Sequence, residues 1–126
     1  MDAADLVGQW ELVSMAEFDE DGRPQDGPLG PAARGRLYYG ADGYMSVHLM
    51  RGDSEPGYIG YSGGWRLEDG RIVHRVAVSS DPSWVGGDQV RSAEMVRGLL
   101  VLGRRDGTFR ARLAWRRLPV GDLGPG

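Results

Sequence analysis

One of the two histidines has the surroundings of a pocket residue. His74 shares a two-residue alternation with Ile72, Val76 and Val78, so its side chain is expected to face the interior of the protein. An imidazole in a cavity could serve as general base, as general acid or as a hydrogen-bond partner of a ligand. The same pattern also fits a buried histidine satisfied by a neighbouring hydroxyl or carboxylate, and it leaves both readings open.

Three aromatic residues extend this candidate site. Tyr61 and Trp65 share the apolar phase of the run 58–67 and are predicted to point inward. A buried tyrosine hydroxyl needs a partner, which makes Tyr61 a candidate for chemistry beside His74. Trp65 fits plain aromatic core better than ligand contact, although both roles stay open. Tyr39 is a further candidate ligand contact, by its phase.

The strand-like run 88–97 carries charge on both of its phases. Gln89 and Arg91 lie on one phase and Glu94 on the other, and both phases mix polar with apolar residues. If Arg91 is inside, it must meet a carboxylate or a ligand oxygen, because an unpaired buried charge is very costly. In the opposite phase Arg91 is a surface residue and Glu94 is the inward acid. Alternation alone does not decide between the two.

His48 and Trp84 are two further candidates for ligand contact, although neither lies on a clearly apolar phase of a strand. His48 shares its phase with the less apolar residues of the run 44–50, so it is expected to point outward. Trp84 lies in a connection between two strand-like runs, where it could form a lid over a pocket or anchor the loop on a rim.

Composition excludes several kinds of chemistry. The chain has no Cys and two His, which removes thiol nucleophiles, and no spacing of His and carboxylates suggests a metal site. No phosphate loop or dinucleotide motif occurs, so no cofactor is expected. All 15 basic residues are Arg, the net charge is −3, and this acidity argues against a nucleic-acid partner. No apolar run suits a membrane span and no targeting segment is visible, so a cytoplasmic protein is expected.

Turn signals divide the chain into strands. Asp-Gly pairs recur along the sequence, and such a pair between alternating runs favours a tight hairpin. Eight strands are predicted, at 7–18, 34–41, 44–51, 58–68, 71–80, 88–97, 99–105 and 108–117. Three further features are predicted. They are a short helical turn at Asp2 to Leu6 with Asp2 as its cap, a long polar loop at 19–33 over one end of the fold, and a frayed tail from 119.

The short connections predict the fold class. Sequential antiparallel strands remove their sheet edges by closing, so we expect an all-β, eight-stranded antiparallel up-and-down β-barrel. A two-sheet sandwich is the alternative. Length indicates one domain over 1–126, with its core at about 6–117 and a tail at 118–126.

A series of motifs resembles the bacterial lipocalin-like domain family, a lipocalin-type β-barrel. The resemblance covers about residues 6–117 and rests on the Gly-x-Trp opening, then on Gly35 to Tyr39, Ala41 to Val47, Tyr58 to Gly63, His74 to Val76, Trp84 to Gly86, Gln89 to Arg91 and Trp115 to Arg117. It implies that Trp10 plugs the barrel floor under Arg116 or Arg117. It also favours pocket roles for His74 and for the pair Gln89 and Arg91.

Two functions are compatible with such a barrel. The first is a cofactor-free cyclase or isomerase acting on a largely apolar natural-product intermediate, with His74, Tyr61 and Arg91 moving protons or polarising a carbonyl. The alternative is a non-catalytic carrier of a small hydrophobic or amphipathic ligand. A monomer or a homodimer is expected, with no nucleic-acid or membrane partner. A perturbed pKa of His74 in a closed pocket would favour the enzyme, and a dry apolar cavity the carrier.

Overall fold

The computed structural model describes residues 1–106 and 109–121. Nine strands lie in chain order: β1 (Gly8–Phe18), β2 (Pro24–Gln25), β3 (Arg34–Tyr39), β4 (Tyr44–Met50), β5 (Tyr58–Glu68), β6 (Arg71–Ser79), β7 (Asp88–Val96), β8 (Leu99–Asp106) and β9 (Phe109–Arg117). Three predicted features fall on residues outside this description: Gly107 of the predicted Asp-Gly turn, the strand start at Thr108 and the end of the tail at 122–126.

Each long strand pairs antiparallel with its neighbours in the chain, and β1 also pairs with β9. This closes eight strands into the predicted up-and-down barrel and excludes the sandwich. Closure leaves no free edge among the long strands. The two-residue β2 pairs with the far end of β1 and forms part of the loop at 19–33, which was predicted to contain no strand.

Hairpin turns follow the Asp-Gly and Arg-Gly pairs. Asp69 and Gly70 have φ of 53° and 76°, and Arg97 and Gly98 have φ of 52° and 82°. Positive φ at both central residues defines the type I′ turn, whose twist matches that of the flanking strands. These two turns therefore set the register of β5 with β6 and of β7 with β8.

In the described part of the chain, the helices are two short 3₁₀ turns, at Ala3–Asp5 and Pro82–Trp84. The first occupies the predicted site, with Asp2 as N-cap and its backbone N–H donating to the Asp5 carboxylate at 2.7 Å. No helix in the described ranges is long and apolar enough to cross a bilayer.

A β-bulge in β1 reverses the alternation predicted from Trp10. The pairing with β9 shifts between Leu12 and Ser14, where one residue of β1 has no counterpart. An inserted residue turns every later side chain to the opposite face. Ala16, which regular alternation from Trp10 and Leu12 would place inside, is exposed, and Glu17 is buried with an exposed fraction of 6%.

A second β-bulge interrupts the regular pairing of β5 with β6. Ser62 pairs with Val78 and Gly63 with Val76, which leaves Ala77 unmatched. Val78, expected to share the inward phase of His74, is therefore 67% exposed. A Cβ at Gly63 would lie 1.8 Å from the Arg75 carbonyl oxygen, so only glycine permits this approach of the strands.

The Gly-x-Trp motif that contains Trp10 closes one end of the barrel. Trp10 is fully buried, and its indole N–H donates to the Leu6 carbonyl at 2.9 Å. The guanidinium of Arg117 lies 4.3 Å from the Trp10 ring centre and donates to the carbonyls of Val7 and Asp5. Arg117 is thus the arginine over the tryptophan, whereas Arg116 points outward and pairs with Glu11 at 2.5 Å.

Exchange of these neighbouring arginines for alanine should separate their roles. Arg117→Ala is expected to lower the free energy of unfolding by about 1–2 kcal/mol, because it removes a cation over an aromatic face and two capping hydrogen bonds. Arg116→Ala removes one exposed ion pair and should cost less than about 1 kcal/mol. Urea unfolding followed by circular dichroism measures both, and equal losses would contradict the assignment of Arg117.

Candidate functional site

The end of the barrel opposite Trp10 is covered by two connections. The loop at 19–33 places Pro28 over the interior and buries Leu29 to 2% exposure. Arg51 holds this loop, since its guanidinium donates to the Pro28 carbonyl at 3.2 Å while pairing with Asp53 at 2.7 Å. Trp84, from the connection between β6 and β7, lies at the same end. The predicted position of the polar loop over one end is confirmed.

Between these covers and the Trp10 floor lies a cavity of about 250 Å³. Sites for small molecules commonly span about 300–1,000 Å³, so this cavity suits a small ligand. Its lining combines an apolar majority with five polar or charged side chains: Met15, Glu17, Pro28, Leu37, Val47, Leu49, Ile59, Tyr61, His74, Trp84, Arg91, Leu102, Arg104, Ala111, Leu113 and Trp115.

A tyrosine–histidine–tyrosine chain enters this cavity from the floor side. His74 is 2% exposed and faces inward from β6. Its Nε2 lies 2.7 Å from the hydroxyl of Tyr39 on β3, and its Nδ1 lies 2.6 Å from the hydroxyl of Tyr61 on β5. Tyr39 is fully buried behind His74, whereas Tyr61 and His74 reach the cavity surface.

The direction of the two hydrogen bonds follows from burial. His74 Nε2 is the one hydrogen-bond partner of the Tyr39 hydroxyl within the described part of the chain. Were Nε2 protonated, the Tyr39 O–H would be buried without an acceptor, which costs about 1–3 kcal/mol. Tyr39 therefore donates to Nε2, and the proton of the neutral imidazole lies on Nδ1, which donates to Tyr61. The Tyr61 O–H is then free to point into the cavity.

Burial also sets the protonation states of this chain. Desolvation, with a smaller contribution from the charge of Arg91, lowers the pKa of His74 to about 3, so the imidazole is neutral at physiological pH. Desolvation raises the pKa of Tyr39 well above its usual value. It also raises the pKa of Tyr61, against which Arg91 and Arg104 act. Both tyrosines are hydrogen-bond donors at neutral pH.

The structure decides the phase of β7. Gln89 and Arg91 face inward and are half-buried, and the Arg91 guanidinium donates to the Gln89 side-chain oxygen at 3.2 Å. Arg91 lines the cavity, whereas Gln89 is not among the lining residues. Glu94 lies on the outer face, 3.4 Å from Arg112, so the inward alternative for Glu94 is wrong.

The remaining candidates occupy three different places. Trp84 lines the cavity and meets Tyr61 edge to face, with ring centres 6.0 Å apart. Trp65 packs against Tyr39 at 4.7 Å and donates its indole N–H to the Gly40 carbonyl, so it supports the core instead of lining the cavity. His48 lies on the outer surface, as its phase indicated, and its imidazole pairs there with Tyr58, which removes it from the interior site.

Sequence reasoning missed Glu17, Arg104 and Trp115, three lining residues that carry a charge or a polar N–H group. Glu17 turns inward after the bulge of β1, and its Oε2 has no hydrogen-bond partner in the described ranges. Desolvation raises the pKa of Glu17, although the nearby Arg104 acts against this shift. The indole N–H of Trp115 is likewise buried without a partner there. Trp115 shares a phase with Phe109, Ala111 and Leu113, and this pattern was the one signal that could have found it.

No group of three His, Asp or Glu side chains in the described residues is arranged to hold a metal ion. The site therefore offers a neutral imidazole, a free tyrosine O–H, two guanidinium groups and one carboxylate around an apolar space. This set can donate hydrogen bonds to a ligand oxygen and stabilise negative charge on it.

Comparison with solved structures agrees with the fold. A lipocalin-like protein from Bacteroides uniformis is 16% identical and superposes with a TM-score of 0.55, over 90% of this chain and 99% of that chain. An uncharacterised protein from Bacteroides eggerthii is also 16% identical, with a TM-score of 0.54 over 90% of this chain and 100% of that chain. At this identity the likeness concerns the fold alone. No curated protein matches the chain significantly.

The family profile covers nearly the whole barrel. The lipocalin-like domain family matches residues 7–57 and 53–118, from the strand that carries Trp10 to the end of β9. Its barrel, with an interior cavity, is a fold that supports the binding of a small molecule. With its Gly-x-Trp opening, closed eight-stranded barrel and matching profile, this chain belongs to the lipocalin-like domain family.

Proposed function

We propose that the barrel binds one small, largely apolar metabolite and acts on it as a cofactor-free isomerase or cyclase. The observation that carries this proposal is the Tyr39–His74–Tyr61 chain, which leaves one tyrosine O–H aimed into a cavity with a mostly apolar lining. An apolar lining encloses the substrate, and enforced proximity alone contributes roughly 7–11 kcal/mol to a cyclisation.

Tyr61 is the catalytic residue of this proposal. Its O–H donates to a carbonyl oxygen of the substrate, and negative charge that develops on that oxygen is stabilised by the nearby Arg91. The proton given to the substrate at one atom returns to Tyr61 from another atom of the substrate, so no net proton is consumed. Isomerisation and cyclisation of carbonyl compounds both fit this proton balance.

His74 and Tyr39 act as positioning residues. An imidazole with a pKa of about 3 is a weak base, and proton transfer is most efficient when the pKa lies near the operating pH. Direct general-base catalysis by His74, one of the roles open from the sequence, is therefore disfavoured. Its Nδ1–H instead holds the Tyr61 oxygen in place and stabilises negative charge on it.

Tyr61→Phe should lower kcat/KM by about 10²–10⁴-fold, the usual contribution of a positioned proton donor. The assay incubates the protein in D₂O with a panel of small apolar enones and 1,3-dicarbonyl compounds. Mass spectrometry measures deuterium incorporation and isomerised or cyclised products. The wild type is expected to act on at least one compound of the panel.

Tyr58→Phe is the matched control, since Tyr58 pairs with His48 on the outer surface and reproduces the same residue pair outside the cavity. This variant should retain wild-type turnover. Equal turnover in folded Tyr61→Phe and wild type would sink the proposed role of Tyr61.

A non-catalytic carrier is the second candidate, and the apolar majority of the cavity lining favours it. In a carrier the Tyr61 O–H only orients the ligand, so Tyr61→Phe would weaken binding by roughly tenfold or less. Binding of panel compounds without deuterium incorporation or product in the wild type would select the carrier over the enzyme.

A further inference from the structure

The charges around the cavity do not balance. Two arginines, Arg91 and Arg104, and a single carboxylate, Glu17, line it, while His74 is neutral. Glu17 lies near Arg104, at the end covered by Pro28. The middle of the cavity, beside Tyr61, is therefore left with excess positive charge.

Arg91 is the cation that remains unmatched. It is half-buried on the inner face of β7, and its guanidinium donates to the Val90 carbonyl at 3.0 Å and to the Gln89 side-chain oxygen at 3.2 Å. Both acceptors are neutral, and so is the Tyr61 hydroxyl, which also interacts with the Arg91 guanidinium through a hydrogen bond. No carboxylate of the described residues forms an ion pair with Arg91. A charge taken out of water is costly unless an opposite charge or several hydrogen bonds meet it.

Arg104 brings a second positive charge to the same place. Ser92 pairs with Gly103, so Arg91 and Arg104 come next to one another on the inner faces of β7 and β8. Their mutual repulsion contributes to the lowered pKa of Arg91, after desolvation. Arg104 has an interaction partner already, which leaves Arg91 to define the site. Two adjacent guanidinium groups at the edge of an apolar space suit a bidentate anion.

We propose that the ligand of the barrel carries a carboxylate or a comparable oxyanion, seated on Arg91 beside Arg104, with its apolar body toward the barrel floor. This inference rests on the proposed binding of a small molecule in the cavity, and it specifies the class of that molecule. The apolar side chains of Leu37, Val47 and Trp115 line the space for the body. The anion on Arg91 places the adjoining part of the ligand against the Tyr61 O–H.

The test compares two probes with the same carbon skeleton, 4-phenylbutanoate and 4-phenylbutan-1-ol, which end in a carboxylate and in a neutral hydroxyl. Isothermal titration calorimetry at pH 7 should show the acid binding to wild-type protein at least about tenfold more tightly than the alcohol, the usual effect of a charge-assisted contact. Arg91→Met should reduce this preference to about threefold or less while leaving alcohol binding nearly unchanged. Arg91→Lys keeps the charge without the planar fork and should retain an intermediate preference.

Arg112→Met is the matched control, because Arg112 is an exposed arginine on the outer face of β9, paired with Glu94. It should keep the full wild-type preference for the acid. Circular dichroism verifies that each variant is folded.

Equal affinities of acid and alcohol for the wild type would overturn the anion site and leave the binding function standing. Unchanged preference in Arg91→Met would likewise overturn the role of Arg91. Absence of binding by both probes would overturn the inference for this ligand class, whereas the deuterium assay with Tyr61→Phe decides the proposed function separately.

Discussion

Trp10→Ala is expected to lower the free energy of unfolding by about 3–5 kcal/mol, the range measured for large-to-small substitutions of buried aromatic residues. Trp10 is fully buried at the barrel floor, in contact with the Arg117 guanidinium and hydrogen-bonded to the Leu6 carbonyl. Its loss opens a void between β1, β3 and β9, which the closed barrel cannot collapse to fill. The Leu6 carbonyl loses its partner in the same step. Urea unfolding at pH 7, followed by circular dichroism, gives the value.

Trp84→Ala supplies the same substitution at the opposite end of the barrel. Trp84 is half-buried in a connection over the cavity, so its removal should cost less than half as much stability. Trp10→Phe covers the case in which the alanine variant does not fold, and it should cost about 1–3 kcal/mol through the lost indole hydrogen bond. Equal losses in Trp10→Ala and Trp84→Ala would show that Trp10 is not the floor of the fold.

The second large effect is acid destabilisation through His74. The imidazole has a pKa of about 3 in the folded protein and 6.5 when unperturbed. Below pH 6.5 the imidazole is protonated in the unfolded chain, whereas in the folded chain it stays neutral until the pH reaches about 3. The free energy of unfolding therefore falls as the pH falls through this window, by up to about 1.4 kcal/mol per pH unit and about 4–5 kcal/mol in all. Above pH 6.5 this contribution is constant.

The triple variant Tyr39→Phe/His74→Leu/Tyr61→Phe isolates the histidine. Removing the imidazole together with both hydroxyls leaves no member of the Tyr39–His74–Tyr61 chain as an unpaired buried donor, so the variant is expected to fold. Glu17 and the exposed carboxylates are present in both proteins, so the difference between the two stability curves reports the His74 chain. The raised pKa of Glu17 acts in the opposite sense, because it favours the folded state on protonation.

Urea unfolding of both proteins at intervals from pH 7 to pH 3.5 should give a steeper decline for the wild type than for the triple variant. His48→Leu, which removes the exposed histidine, should follow the wild-type curve. Parallel curves for wild type and triple variant would contradict the neutral, buried state of His74.

Local patterns were sufficient to predict the eight long strands and the turns between several of them, although not the two-residue β2. Alternation of side chains is a property of each strand, and the turns at Asp69-Gly70 and Arg97-Gly98 require residues that tolerate positive φ. Both signals can be read without knowledge of neighbouring strands. The inward direction of His74 and Tyr61 follows from the same alternation, because their strands have one clearly apolar phase.

The hydrogen-bond partners of those side chains could not be predicted from alternation along one strand. Tyr39 lies 35 residues before His74 in the chain, and their hydrogen bond exists because the barrel brings β3 and β6 within reach across its interior. The inward phase of Arg91 and outward phase of Glu94 were likewise open, since both faces of β7 are mixed. Closure of the barrel determines which face of such a strand points inward, because pairing with its two neighbours holds it in one register.

The sequence by itself determined an all-β chain, the positions of its turns, its closure into a barrel of the lipocalin-like kind and the inward placement of His74. Only the tertiary structure decided which charged groups share the interior. The bulge of β1 brings Glu17 inward, and the end of β9 selects Arg117 over Arg116 for the contact with Trp10. The physical reason is that alternation is local, whereas bulges and cross-barrel contacts depend on how distant strands align.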